Sequence, residues 1–426
     1  MMPPGIDIGK TTMHDIGPMK SLDTVLKEVE SSEKEMIDTM IGMISIPALA
    51  PVNGGQGESL KADYLMSRTD GFDSVQRVDV PDLKDPCVMR SNIVARKNGK
   101  KKGTLWFVSH MDVVPTGDPA LWDNSPFEPV LKDGKLYGRG TEDDGQSVIS
   151  TMFAARPYLS EEFQGMSLGV AWVADEETNS LCGIQYLLKN GFFSEDDVIV
   201  VPDFCSKDGS RVDVAEKHII WLKFCIEGKT AHASTPHLGV NAYKVSTLLL
   251  MDLMESFDNR FGDSNDMFLP KSSTFEPTKR IATVENVNTI PGYDEFCMDI
   301  RLNPEYDPDL VLKMAEEMAE VYSKSTGAKI TVEILQMARS GAPSSIESDG
   351  YKALSESIEE VLGKAPEAVG IAGGTCSNFF RLKGLNAYAW QTGDGTLHAP
   401  NEYMKVENLM NDTKVFARMI YKLCML

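Results

Sequence analysis

TLWFVSHMD, residues 104–112, runs four consecutive apolar side chains into a histidine and, two residues on, an aspartate. A run this short, aromatic and β-branched reads as a buried strand. Strand side chains alternate faces, so His110 and Asp112 are expected to point the same way. Outward from this run lie three others of the same kind: SNIVAR (91–96), SLGVAWVAD (167–175) and DVIVVPDF (197–204). Helical periodicity separates some of them, as in QSVISTMFAARPYL (146–159), and a helix is also predicted over 21–47, where Leu22, Val25, Leu26, Val29, Met36, Ile37, Met40, Ile41 and Ile44 recur. Strands alternating with helices imply an α/β layer with a mostly parallel sheet.

The pattern changes at residue 218. HIIWLKFCIEG (218–228) reads as a strand and VNAYKVSTLLLMDLMESF (240–257) as a helix. KRIATVENV (279–287) and YDEFCMDIRL (293–302) read as strands, LVLKMAEEMAEVYSKS (310–325) as a helix and KITVEIL (329–335) as a strand. This β-α-β-β-α-β order is the split arrangement of a ferredoxin-like sandwich. The α/β pattern then returns in YKALSESIEEVL, NAYAWQT and VENLMNDTKVFARMIYKL. The predicted organisation is one α/β domain in two parts, 1–216 and 339–426, interrupted by an inserted α+β domain at 217–338.

A formal charge of -21 opposes binding to nucleic acid or to an anionic membrane surface, both of which need clustered Lys and Arg. No run approaches the ~18–20 apolar residues of a membrane helix. The opening MMPPGIDIGKTTMHDIGPMK lacks the apolar core of a secretory signal and reads as a loose tail, so a cytoplasmic location is expected. The seven cysteines are scattered with no C-x-x-C, so neither a disulfide framework nor a thiolate metal site is indicated. Any metal must be held by carboxylates and by some of the six histidines.

Three predicted strands end in such groups: His110 with Asp112, Asp175-Glu176-Glu177, and Asp203 after Pro202. The carboxyl ends of strands in open α/β sheets form the ligand crevice. Asp143 and Asp144, in LYGRGTEDDG (136–145), precede a helix and could serve there as plain capping anions. His398 lies in TLHAPNE (396–402), between the last predicted strand and helix. A histidine and oxygen donor set suits zinc, manganese or cobalt, and two ions can share a bridging carboxylate. A pair about 3.5–4 Å apart polarises a carbonyl and acidifies a water, leaving one carboxylate to carry the proton.

The chain resembles the metallopeptidase family of acetylornithine deacetylase, succinyl-diaminopimelate desuccinylase, aminoacylase and carboxypeptidase G. The motifs are SHMDVVP, LYGRGTEDD, ADEE, the Asp after VVP, GKTAHASTPHLGVNA, NVNTIPG, DIR, GGT and HAPNE, spread over about residues 30–420. The resemblance implies a zinc-peptidase-like catalytic domain interrupted by a lid and dimerisation domain, hence a homodimer. It implies two divalent ions, zinc foremost with cobalt or manganese as alternatives. His110 and Asp203 would hold one, Glu177 and His398 the other, with Asp143 bridging. Asp112 would steady His110, and Glu176 would be the general base and later acid. His232 would stabilise the oxyanion, often from the partner subunit. Arg301, Gly373, Gly374 and Thr375 would anchor a substrate carboxylate, with Asn288 as a lid contact. His218 and His237 are read as structural or surface residues.

The implied reaction is hydrolysis of the amide bond of a small N-acyl amino acid, of deacetylase or desuccinylase type. The alternative is a di- or carboxypeptidase taking short peptides on the same scaffold. Departures occur at Asp143-Asp144-Gly145-Gln146, where the family usually reads Asp-Asp-Lys-Gly or Asp-Met-Lys-Gly, at Thr178-Asn179-Ser180, and at Cys376-Ser377-Asn378. A metal-free binding protein is disfavoured by retention of all five proposed ligands and Glu176. A serine hydrolase is disfavoured on the expectation that there is no G-x-S-x-G elbow.

Overall fold

A computed structural model describes residues 19–281 and 284–426. Eight strands form one sheet in the order Ser74–Pro81, Met89–Lys97, Ser167–Val173, Thr104–His110, Val198–Ser206, Ala387–Thr392, Arg211–Glu216, Glu367–Ile371. Its centre is parallel: Thr104–His110 runs with both Ser167–Val173 and Val198–Ser206, which in turn runs with Ala387–Thr392. Antiparallel pairings adjoin this centre on both sides. Every residue of Thr104–His110 and of Ser167–Val173 is buried, as a sheet covered on both faces requires. Alternation then sorts the side chains. Phe107 and Trp172 join a core shared with the helices Leu22–Ser31, Glu33–Ile44, Gln146–Ala155, Asp349–Leu362 and Val406–Ile420. Trp106, Val108 and Val173 pack on the opposite face with the helices Ile184–Lys189 and Ser377–Arg381. No helix among the described residues is long and apolar enough to cross a membrane.

The inserted segment builds its own antiparallel sheet in the order Thr274–Ile281, Tyr293–Leu302, His218–Glu227, Lys329–Ala338. This is the ferredoxin-like arrangement. One face, carrying Ile220, Leu222, Phe224 and Ile226, packs on the helices Ala242–Phe261 and Pro308–Thr326 to form a separate core. The first and last strands of the insertion are neighbours, with Ile219 paired to Ala338. A small three-stranded sheet pairs Tyr137 with Tyr403, which draws residues 136–145 against residues 396–402.

Two sequence expectations need correction. The helix over 21–47 is two helices broken at Ser32, where the hydroxyls of Ser31 and Ser32 both donate to the Glu28 carbonyl and compete with the helical ladder. The strand expected at 279–287 is Thr274–Ile281, and residues 284–288 form no strand. It is an edge strand exposed along most of its length, so it lacks an alternating apolar signal, and it contains Pro277 beside a register irregularity, where proline is tolerated. Residues 282–283, and all but the last two residues of the tail expected over residues 1–20, lie outside the described residues.

Candidate active site

The strand ends and two loops converge as one cluster. His110 Nε2 lies 2.8 Å from Asp143 Oδ1 and 4.0 Å from Asp203 Oδ1. His398 Nε2 lies 2.9 Å from Asp143 Oδ2 and 3.2 Å from Glu177 Oε1. Each of the two groups, His110–Asp143–Asp203 and Asp143–Glu177–His398, has its donor atoms mutually within 4.8 Å. Asp143 thus presents one oxygen to each histidine. All five expected ligands meet here, although His110 and His398 are 288 positions apart in the chain.

The electrostatics follow from crowding. Burial alone would raise the Asp143 carboxyl, but hydrogen bonds from His110 and His398 outweigh it and hold that carboxyl below the usual range. Hydrogen bonds to Asp143 and Glu177 push His398 up to about 10. Burial pushes Asp203 and Glu176 well above the usual carboxylate range, and the charge of each neighbouring carboxylate adds to it. Four acidic side chains, Asp143, Glu176, Glu177 and Asp203, around two imidazoles cannot all ionise in a buried rim without added cations. With only nitrogen and oxygen donors, the set fits divalent zinc, manganese or cobalt.

Asp112 differs from its expected geometry. The His110 ring Nδ1 meets the Asp112 backbone carbonyl at 3.0 Å, while the carboxylate is 3.7 Å away. That carboxylate instead accepts the N–H groups of Glu176 at 3.0 Å and Glu177 at 3.1 Å, so it fixes the turn bearing both glutamates. The strand ends at His110, so the alternation assumed for Asp112 no longer applies. Asp144 accepts the His110 N–H at 3.0 Å. Gln146, which closes the departing stretch Asp143-Asp144-Gly145-Gln146, donates to the Thr392 carbonyl at 2.7 Å and to Asp412 at 2.6 Å.

Beneath the turn lies a buried charge network absent from the sequence reading. Arg90, 1% exposed, donates to Glu58 at 2.6 Å and to Asp175 at 2.9 Å, lies 3.1 Å from Asp82 and approaches Asp112 at 3.7 Å. Lys61, also buried, donates to the Met111 carbonyl at 2.9 Å. The available signal was slight: Arg90 stands just before the apolar stretch Ile93-Val94-Ala95, in a strand that also carries Arg96 and Lys97.

The expected substrate contacts are placed apart from the cluster's own bonds. Arg301 pairs with Asp299 at 2.7 Å and donates to the Ala372 carbonyl at 2.9 Å, joining the inserted sheet to the turn before Gly373. Thr375 gives both its N–H and its hydroxyl to Glu216, at 3.2 and 2.9 Å. A Cβ at Gly373 would meet nothing within 4 Å, and one at Gly374 would come no nearer than 3.5 Å to Glu216. His232 is exposed; its ring meets Ser234 at 2.7 Å and Asn288 at 3.5 Å, both within the inserted segment. His218 is bonded to Tyr306 and Ser340, a structural position, and His237 lies exposed in a short turn. A cavity of about 950 Å³ runs between the two parts of the molecule, lined by Glu176, Glu177, Asn179 and Thr375 on one side and Trp221 and Met337 on the other. Contrary to expectation, a G-x-S-x-G string does occur at 165–169, but its buried Ser167 opens the interior strand Ser167–Val173 at its amino end, away from the cluster at the carboxyl ends, and forms no strand-to-helix elbow.

A mixed α/β sheet with an inserted ferredoxin-like unit and a histidine–carboxylate cluster at its strand ends defines a metallohydrolase class. The sequence profile of Peptidase family M20/M25/M40 matches residues 106–422, and the chain belongs to that family. It is 36% identical to an uncharacterized metallohydrolase of Methanococcus maripaludis, across 90% of this chain and 97% of that one. It is 27% identical to the acetylornithine deacetylase of Dictyostelium discoideum, across 88% and 91%. Among solved structures it resembles aminopeptidase PepT from Bacillus cereus, with a TM-score of 0.73 at 17% identity over 92% of this chain and 98% of that one.

Proposed function

We propose that this protein hydrolyses the amide bond of a small N-acyl amino acid, as a deacetylase or desuccinylase does, using two divalent ions, zinc foremost. The observation carrying this reading is Asp143, whose two oxygens lie 2.8 and 2.9 Å from histidines of two separate donor groups. In this reading His110 and Asp203 hold one ion, Glu177 and His398 the other, and Asp143 both. When bound, the ions would polarise the substrate carbonyl and acidify the attacking water. Glu176 takes the proton from that water and returns it to the leaving nitrogen. Burial raises the Glu176 carboxyl well above the usual carboxylate range, the direction that strengthens it as a proton acceptor. Asp112 holds Glu176 and Glu177 through their backbone N–H groups.

The substrate carboxylate is assigned to the region of Arg301, Asn288 and the Gly373-Gly374-Thr375 turn. His232 acts as oxyanion donor, supplied across a homodimer formed through the inserted domain at 217–338, with the catalytic domain split as 1–216 and 339–426. Closure around substrate is expected, because among the described residues the His232 ring bonds within the inserted segment while the cluster lies at the strand ends. The seven unpaired cysteines accord with a cytoplasmic setting. The test is a screen of metal-stripped protein reloaded with zinc, cobalt or manganese against acetylornithine, succinyl-diaminopimelate and a dipeptide panel. Metal-dependent release of acetate or succinate is expected. Turnover confined to dipeptides would replace this assignment with a peptidase.

A further inference from the structure

Two loops carry ligands that face each other across the cluster: residues 140–144 with Asp143, and residues 394–402 with His398. Each loop is held by a carboxylate belonging to the other. Glu142 is 1% exposed. Its Oε1 accepts the N–H of Asp394 at 2.5 Å and of Gly395 at 3.2 Å. Its Oε2 accepts the Leu397 N–H at 3.1 Å, the Thr396 hydroxyl at 2.8 Å, and the Thr396 N–H. In return the fully buried Glu402 accepts the N–H groups of Gly140 at 3.1 Å, Glu142 at 2.9 Å and Asp143 at 3.1 Å, together with Arg139 at 2.6 Å.

A carboxylate is costly to bury unless its oxygens are saturated, and here five donors saturate Glu142. Its last contact, Leu397, immediately precedes His398, which sits at φ 61°, a left-handed backbone that a non-glycine residue keeps only when its surroundings impose it. We propose that Glu142 is a positioning residue that presets the 394–397 loop, so that His398 meets Asp143 and Glu177, and thereby governs binding of the His398-side ion alone. Glu402 acts differently, because it holds the backbone of Asp143, which both ions share. This inference rests on the ligand assignment above.

The experiment compares wild type, Glu142→Ala, Glu142→Gln and Glu402→Gln, each stripped of metal and titrated with zinc and with cobalt by calorimetry, with bound metal counted and amide hydrogen exchange followed over 394–397. Wild type binds two ions. Glu142→Ala keeps one at near wild-type affinity and binds the second roughly 10- to 100-fold more weakly, the usual cost of losing an outer support of a ligand. Its 394–397 amides lose exchange protection. Glu142→Gln, which keeps one acceptor oxygen, falls between and carries the test should the alanine variant not fold. Glu402→Gln weakens both ions. Two ions at wild-type affinity in the Glu142 variants, or equal weakening of both, overturns the proposal. Fewer than two ions in wild type overturns the ligand assignment instead.

Discussion

Replacing Arg90 with methionine removes the guanidinium on which the buried network depends. In the native fold that group contacts Glu58 at 2.6 Å, Asp175 at 2.9 Å and Asp82 at 3.1 Å, and Asp112 lies 3.7 Å away. Breaking one buried pair by deleting a partner costs about 3–5 kcal/mol, because the stranded charge stays desolvated. Here three carboxylates are stranded together, so the upper half of that range is expected, roughly three orders of magnitude in the folding equilibrium. Activity should fall further than stability. Asp175 leads into the turn carrying Glu176 and Glu177, and Asp112 holds that turn by two hydrogen bonds. Adding Glu58→Leu removes the carboxylate with the most contacts to Arg90. The double variant should regain part of the stability while turnover stays low. Urea denaturation of the metal-stripped proteins by circular dichroism measures the first effect, and steady-state hydrolysis at a temperature where each variant is folded measures the second. A stability loss in Arg90→Met below about 1 kcal/mol, the range of an exposed pair, would refute the network's importance.

Two further outcomes are expected. Glu176→Gln should keep two bound ions and lose about 10²–10⁴-fold in kcat, and near-normal turnover in that variant would remove Glu176 from the proton path. Metal-stripped protein should be less stable at pH 8 than at pH 6. Burial raises Glu58 and Asp412 to about 7 and Glu216 to about 8. In that window the native state therefore binds more protons than the unfolded chain, and stability falls as pH rises through those values. Thermal melting across pH 6–8 checks the sign, and a melting temperature that rises with pH contradicts it.

The parts of this architecture that were legible in the sequence are those governed by local rules. Buried parallel strands announce themselves as short apolar runs, and polar residues at their ends mark the rim, which is how His110, Glu177 and Asp203 could be read. Asp143 and His398 stand in loops with no local signal, and only the motif order of a family points to them. Glu142 and Glu402 fall inside the motifs LYGRGTEDD and HAPNE, yet their roles could not be read, because most of their partners are backbone N–H groups more than 250 positions away, and an amide carries no sequence label. Arg90 was missed by one residue, since the apolar run that flags its strand begins at Ser91. Asp112 shows how a correct choice of residue can carry a wrong geometry. The strand stops before it, and its carboxylate turns to the glutamate turn.

The pairing of Ile219 with Ala338 has a mechanical meaning. The chain departs for the ferredoxin-like unit and comes home within one strand spacing, about 4.8 Å. Two tethers so close together behave as a single pivot, and a swing of the unit about it would have to release the Gly370 N–H from the Met267 carbonyl at 2.7 Å and Arg301 from the Ala372 carbonyl at 2.9 Å. The same closeness leaves almost no gap to bridge if the unit is cut out, so a short glycine-serine splice could join the flanking segments while the eight-stranded sheet keeps its order.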